Sequence, residues 1–88
     1  GEYKKAIKIY KFYPFKTEKD LFNIGFCFSK NKEHQKALEQ YNKALKINPK
    51  YAEAWNNKGA ALKELKRYKE ALKCYEKVTQ LDPEDIEA

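Results

Sequence analysis

Residues 21–28 read LFNIGFCF, and residues 55–62, 34 positions later, read WNNKGAAL. The two stretches share an asparagine and a glycine at the same places, although the second is much less apolar. A shift of the whole chain by 34 residues aligns 18–51 with 52–85 and gives eight identities, where about two are expected from composition. The identical pairs are Asn23/Asn57, Gly25/Gly59, Lys32/Lys66, Ala37/Ala71, Leu38/Leu72, Tyr41/Tyr75, Lys43/Lys77 and Pro49/Pro83. The chain is therefore built from a repeated unit.

Each unit reads as two amphipathic helices. The apolar residues are spaced three and four apart, which gathers them on one face of each helix. In the first unit they are Leu21, Ile24, Gly25 and Phe28, then Ala37, Leu38, Tyr41, Ala44 and Leu45. Thr17 and Asp20 have the spacing of a capping box before the first helix. Asn48-Pro49 is predicted to end the second helix, because proline lacks an N–H and restricts the residue before it.

Small residues are paired across each predicted hairpin. We expect Gly25 to face Ala37 and Gly59 to face Ala71, so that the two helices of a unit approach closely. The aromatic residue four positions after each alanine, such as Tyr41, would then fill the space beside that contact.

A third, incomplete copy of the unit lies at the N-terminus. YKKAIKIY (3–10) is similar to YKEALKCY (68–75), but Pro14 follows sooner than the prolines of the other copies. We expect this helix to stop early and KFYPFK (11–16) to form an irregular connector. The predicted organisation is a single domain, 1–88, with a half-unit at 1–17, units at 18–51 and 52–85, and the start of another unit at 86–88.

The repeat carries a recognisable signature. It reads Leu21-x-x-Ile24-Gly25-x-x-Phe28, Ala37-x-x-x-Tyr41 and Pro49, then Trp55-x-x-Lys58-Gly59-x-x-Leu62, Ala71-x-x-x-Tyr75 and Pro83. This pattern resembles the tetratricopeptide repeat over nearly the whole chain, with Lys58 in place of the usual leucine. The resemblance implies an all-α solenoid of helical hairpins, a right-handed superhelix of about five helices, and non-catalytic protein–protein interaction. The related pentatricopeptide family binds RNA, but the 34-residue period and Trp55 favour the protein-binding family.

The resemblance also implies where a partner would bind. In tetratricopeptide arrays a peptide or partner segment lies in a groove lined by the first helix of each unit. Residues turned about 100–140° from the core stripe, and others further round, would face that groove. The candidate binding residues are Phe22, Asn23, Phe26, Asn56, Asn57, Ala60 and Lys63. The lysines leave an acidic ligand as an option. Two alternatives stay open: the connector 12–15 covers Phe22 and Phe26, and the asparagines are simply solvated.

One subclass of the family is disfavoured. Its chaperone-binding members hold a C-terminal carboxylate with lysines and asparagines on successive first helices. Where that clamp would have lysine and asparagine, this chain has Phe22 and Phe26. We therefore do not expect a chaperone-tail clamp within these residues.

The net charge is +6, and most of it lies in the N-terminal half. A basic surface can attract acidic peptides, nucleic acid or anionic lipid, although lysines interspersed with acids also fit a solvated face. The 18 lysines stand against a single arginine, Arg67, which makes nucleic acid an unlikely partner because base-edge recognition favours arginine. No apolar run is long enough to span a bilayer, so no membrane partner is expected.

Catalytic and cofactor chemistry is not indicated. His34 is the only histidine, and it is expected in a polar turn without a nucleophile or metal partner. No glycine-rich loop follows a strand, and Cys27 and Cys74 lack companions at metal-ligand spacing. We predict no enzyme activity, no cofactor and no metal. Two unpaired buried thiols suit a reducing compartment, so a cytoplasmic location is expected.

The ends of the repeat array suggest an alternative function. A solenoid unit buries its apolar faces on its neighbours, so an end without a polar cap leaves part of a helix open. We expect the helix at 68–81 and the half-unit at the start to be open in this way. Self-association, by end-to-end stacking or exchange of a helix, is therefore a second hypothesis for function.

Overall fold

A computed structural model describes residues 2–11 and 16–81 of the chain. Over these residues the fold is five helices and no strand, which confirms the predicted all-α class. They are α1 (Glu2–Lys11), α2 (Glu18–Lys30), α3 (His34–Ile47), α4 (Ala52–Glu64) and α5 (Tyr68–Leu81). Each helix packs mainly on the one before it and the one after it, and α2 also touches α4. None of the described helices has the length and apolarity needed to cross a bilayer.

The ends of the helices follow the sequence signals. The hydroxyl of Thr17 accepts a hydrogen bond from the backbone N–H of Asp20 at 3.2 Å, and the Asp20 carboxylate accepts one from the Thr17 N–H at 3.0 Å. The predicted capping box in front of α2 is therefore confirmed. α3 ends at Ile47, directly before Asn48-Pro49, as expected.

The turns inside the two hairpins have the same geometry. Lys32 and Lys66 both have a φ of 63°, in the left-handed region. In the first turn the N–H of Glu33 donates to the Phe28 carbonyl at 2.8 Å, and the N–H of Lys32 donates to the Ser29 carbonyl at 3.0 Å. The second turn repeats both bonds 34 residues later. These bonds form a Schellman motif that satisfies the last carbonyls of α2 and α4.

The core runs along the seams between successive helices. It is formed by the apolar faces that the sequence predicted, and Tyr41 is its largest wholly buried side chain. One detail differs from expectation. The atoms nearest to Gly25 belong to the ring of Tyr41, not to Ala37, and those nearest to Gly59 belong to Tyr75 and Cys74, not to Ala71. The glycines thus make room for an aromatic ring rather than for a glycine–alanine contact.

Three expectations fall on residues outside the described ranges. They concern the connector at 12–15, the end of the second unit at Asp82-Pro83, and the start of a further unit at 86–88. His34 lies differently from its expected place in a polar turn: it is the first residue of α3 and is half-buried. Its Nδ1 atom is buried without a hydrogen-bond partner among the described residues.

Candidate binding groove

A cavity of about 150 Å³ opens between the first helices of the two units. From α2 it takes Phe26, Ser29 and Lys30, and from α4 it takes Asn57 and Ala60. Tyr41 of α3 completes the lining. We call this cavity the α2–α4 groove. It combines an aromatic ring, an amide, a hydroxyl and an ammonium group at the place where the sequence analysis expected a partner.

The hydroxyl of Tyr41 is held in place by its neighbours. The ring is fully buried, and its hydroxyl lies 3.2 Å from the Ser29 hydroxyl. Burial raises the pKa of Tyr41, while hydrogen bonds to Ser29 and Asn57 oppose that change. The hydroxyl therefore stays protonated at neutral pH, and as a buried group bonded to Ser29 it forms part of the groove wall.

Phe26 is the exposed aromatic of the groove. Its side chain is 38% exposed, and the Lys30 ammonium lies 5.2 Å from the centre of its ring. This is a cation–π distance, so the ammonium is held near one wall of the groove. An apolar group and a positive charge are thus presented side by side.

Phe22 does not line the groove. Its ring packs on Tyr41, with 5.8 Å between ring centres, and on Tyr51, with 5.2 Å. Tyr51 is the residue directly before α4, so this stack reaches the start of α4 and leaves Phe22 half-buried. The predicted pair of groove phenylalanines therefore divides into one that packs on Tyr41 and Tyr51 and one that is open. Whether 12–15 also cover either ring lies outside the described residues.

The other predicted residues are distributed unevenly. Asn57 and Ala60 lie in the groove with Phe26, whereas Asn23, Asn56 and Lys63 are exposed and do not line it. Ser29 was missed by the sequence analysis, and Lys30 was not included among its candidate binding residues. Their spacing was a usable signal, because they follow Phe26 by three and four residues and so share its face of α2. Tyr41 was assigned only to the core, since the sequence gives no sign that a buried aromatic side chain also lines a cavity.

The comparisons with known proteins agree with this architecture. The Tetratricopeptide repeat family model matches residues 19–51 and 52–85. The chain belongs to the tetratricopeptide repeat family.

Curated relatives share parts of the chain. An uncharacterised protein of Methanocaldococcus jannaschii is 54% identical over 41 residues, which are 47% of this chain and 48% of that protein. The peroxisomal targeting signal receptor of Candida glabrata is 34% identical over 74% of this chain and 11% of the receptor. A UDP-N-acetylglucosamine–peptide N-acetylglucosaminyltransferase of Giardia intestinalis is 30% identical over 76% of this chain, but over only 4% of that enzyme. The chain thus spans about half or less of these relatives.

Solved structures superpose closely. The first tetratricopeptide repeat domain of Spaghetti, bound to the HSP90 peptide SRMEEVD, has a TM-score of 0.87 at 30% identity and covers 96% of this chain and 69% of its own. The Sgt2 domain from Aspergillus fumigatus has a TM-score of 0.84 at 32% identity and covers 94% of this chain and 57% of its own.

Proposed function

We propose that this chain is a non-catalytic protein–protein interaction module that binds an extended segment of a partner in the α2–α4 groove. The observation that carries the proposal is the exposed ring of Phe26 beside the Asn57 amide and the Tyr41 hydroxyl in one cavity. Two relatives support it: one domain of similar fold was solved with a peptide bound, and another relative is named as a receptor for a targeting signal.

The chemistry of the groove suggests which segment would fit. An apolar side chain of the ligand would cover Phe26, and the ligand backbone would exchange hydrogen bonds with the amide of Asn57. Lys30, already at the rim, would meet an acidic group, with Lys63 available one turn beyond the cavity on α4. A short segment with one apolar residue next to an acid is therefore the expected ligand class.

A displayed library of seven-residue peptides, selected on the full chain, tests this directly. The selected peptides should combine an apolar residue with an acid. Phe26→Ala should weaken their binding about tenfold, because an exposed ring at the centre of a small interface contributes more than 1 kcal/mol. Ile47→Ala removes a more exposed apolar side chain outside the groove and should leave affinity unchanged. Unchanged affinity in a stably folded Phe26→Ala variant would exclude the groove.

The same assay separates the alternatives. Because Phe22 and Phe26 occupy the places of the clamp residues, the peptide SRMEEVD is expected to bind no better than a scrambled version. A nucleic-acid ligand would instead show affinity that falls steeply with salt and that tolerates Phe26→Ala.

Self-association is the second candidate, and one comparison within the chain favours it. Leu72 on α5 is 58% exposed, whereas its equivalent Leu38 on α3 is 4% exposed. Tyr68, one turn before Leu72, is also exposed. A second copy could cover this face of α5 as α4 covers α3. Light scattering over a concentration series should then show a rising mass that Leu72→Lys abolishes, and a monomer at every concentration would rule this candidate out.

A further inference from the structure

A cleft of about 470 Å³, larger than the α2–α4 groove, lies between α4 and α5. Its walls include Trp55, Lys58 and Leu62 from α4, and Lys73, Cys74 and Lys77 from α5. We call it the Trp55 cleft. Leu62 and Cys74 are buried and give it an apolar floor, while the three lysines supply its charge.

The Trp55 cleft and the α2–α4 groove lie on opposite sides of α4. At 100° per residue, the cleft residues of α4 point about 160° away from Asn57 and Ala60, which face the groove. A ligand in one cavity therefore does not occupy the other. The cleft needs its own explanation.

Trp55 is fixed in orientation at the cleft. Its indole N–H donates a hydrogen bond to the Pro49 carbonyl at 2.7 Å, which uses the only polar atom of the ring. The ammonium groups of Lys58 and Lys77 lie 5.1 Å and 5.9 Å from the centre of that ring. Two like charges thus converge on one aromatic side chain, from two different helices. Their mutual repulsion would be relieved by an anion placed between them.

No acidic side chain among the described residues forms an ion pair within 4.0 Å with these lysines. The ion pairs found there join Lys36 to Glu33 and Arg67 to Glu70, and neither includes a lysine of the cleft. Glu70 is the one acid at the cleft wall, and it is held by the guanidinium of Arg67. The pKa of Glu70 is lowered first by that hydrogen bond and also by the charges of Arg67, Lys58 and Lys73. The lysines therefore create a positive electrostatic potential at this wall of the cleft.

We propose that the Trp55 cleft is a second docking site, which binds an acidic peptide segment of a partner protein. A carboxylate of that segment lies between Lys58 and Lys77, and an apolar side chain next to it packs on Leu62 and Cys74. The apolar floor favours a peptide over a nucleic acid, since a phosphate chain has no side chain to bury there. In the described part of the chain, no arginine lines the cleft. A carboxylate there would therefore be held by the compact charges of lysine ammonium groups rather than by the planar guanidinium group of an arginine.

The emission of Trp55 gives a direct readout, because it is the only tryptophan of the chain. The probe is the capped peptide Glu-Glu-Leu-Glu-Glu, and the neutral comparison is Gln-Gln-Leu-Gln-Gln. We expect the acidic peptide to change the emission of Trp55 in a saturable way and the neutral peptide to leave it unchanged. Lys58→Gln and Lys77→Gln should each weaken binding about two- to fivefold, the range for a partly exposed ion pair.

Lys43→Gln is the matched control, because Lys43 holds the position of Lys77 in the first unit and is exposed. It should leave affinity unchanged. A linear response up to millimolar peptide, or unchanged affinity in both cleft variants, would overturn the inference. If inorganic phosphate or an oligo-dT strand competes as well as the peptide does, the cleft is a general anion site, and the inference is likewise overturned. If Phe26→Ala abolishes the response, the peptide binds in the α2–α4 groove; the cleft is then refuted while the proposed function stands.

Discussion

Gly25 lies directly against the ring of Tyr41. A Cβ atom on Gly25 would lie 2.6 Å and 2.7 Å from two ring carbons of Tyr41, well inside van der Waals contact. Gly59 has the same relation to Tyr75, but the distance there would be 3.0 Å. Tyr41 is fully buried, whereas Tyr75 is half-buried and has room to move. Equivalent glycines of the two units therefore differ in how strictly they are required.

Gly25→Ala and Gly59→Ala make a matched pair of variants. Alanine is favoured over glycine by about 1 kcal/mol inside a helix, but overpacking a core costs about 1–3 kcal/mol. We expect Gly25→Ala to lower the free energy of unfolding by about 1–2 kcal/mol, because Tyr41 cannot move away. Gly59→Ala should change it by less than about 0.5 kcal/mol, since the two effects offset each other. Urea unfolding measures both, and equal losses would show that the mobility of the ring is irrelevant.

At the scale of the element, helix ends are more strongly specified than helix interiors. The capping box of Thr17 and Asp20 was legible in sequence because it depends on two residue types at a local spacing. The left-handed residues at the ends of α2 and α4 were not legible, because lysine stands where glycine is usual. Both Lys32 and Lys66 hold a backbone conformation that costs about 1 kcal/mol for a residue with a Cβ atom.

Glycine at these two turns should stabilise the chain. Lys32→Gly and Lys66→Gly are each expected to raise the free energy of unfolding by about 0.5–1 kcal/mol, because glycine adopts the left-handed conformation without the steric cost. Lys46→Gly, in the last turn of α3, is the control and should lower it by a similar amount. Thermal unfolding of the three variants checks the predicted order of their stabilities. A loss of stability in both Lys32→Gly and Lys66→Gly would contradict the prediction.

Across the whole molecule, the two units have nearly the same pattern but different degrees of burial. Tyr41 and Ala44 are fully buried in the first unit, and their equivalents Tyr75 and Val78 are half-buried in the second. The first unit has described helices packed on both sides, whereas the second has one only on the α3 side. The deepest part of the core therefore lies at α2 and α3, and it contains Cys27 and Tyr41, two groups whose pKa is raised by burial.

The stability of the whole chain should depend on alkaline pH. Burial raises the pKa of Tyr41 from its ordinary value of 10.0, and it raises the pKa of the Cys27 and Cys74 thiols from 9.0. The folded chain holds these protons more tightly than the unfolded chain, so the contribution to stability is complete below about pH 8.5 and is lost as pH rises further. Urea unfolding at several pH values from 7.5 to 10.5, in buffers of constant ionic strength, measures this loss.

Two variants identify which side chains cause the loss of stability at alkaline pH. Cys27→Ala/Cys74→Ala should reduce the slope that begins near pH 9, and Tyr41→Phe should reduce the slope above pH 10. Tyr68→Phe is the control, because Tyr68 is exposed, and it should leave the slope unchanged. A profile that is the same in all variants would contradict the assignment to these three groups.

The repeat, its two helices per unit and the family signature were determined by the sequence alone, because helical periodicity, caps and prolines act through neighbours along the chain. The partner of a side chain was decided only by the tertiary structure. Phe22 and Phe26 lie one helical turn apart, yet Tyr51, directly before α4, packs on Phe22 and leaves Phe26 exposed. Lys58 likewise stood in the sequence only in place of the usual leucine, whereas in the fold its ammonium group lies 5.1 Å from the centre of the Trp55 ring, and that of Lys77 lies 5.9 Å from it. Both outcomes depend on how separate helices pack together, and side-chain spacing within one helix does not contain that information.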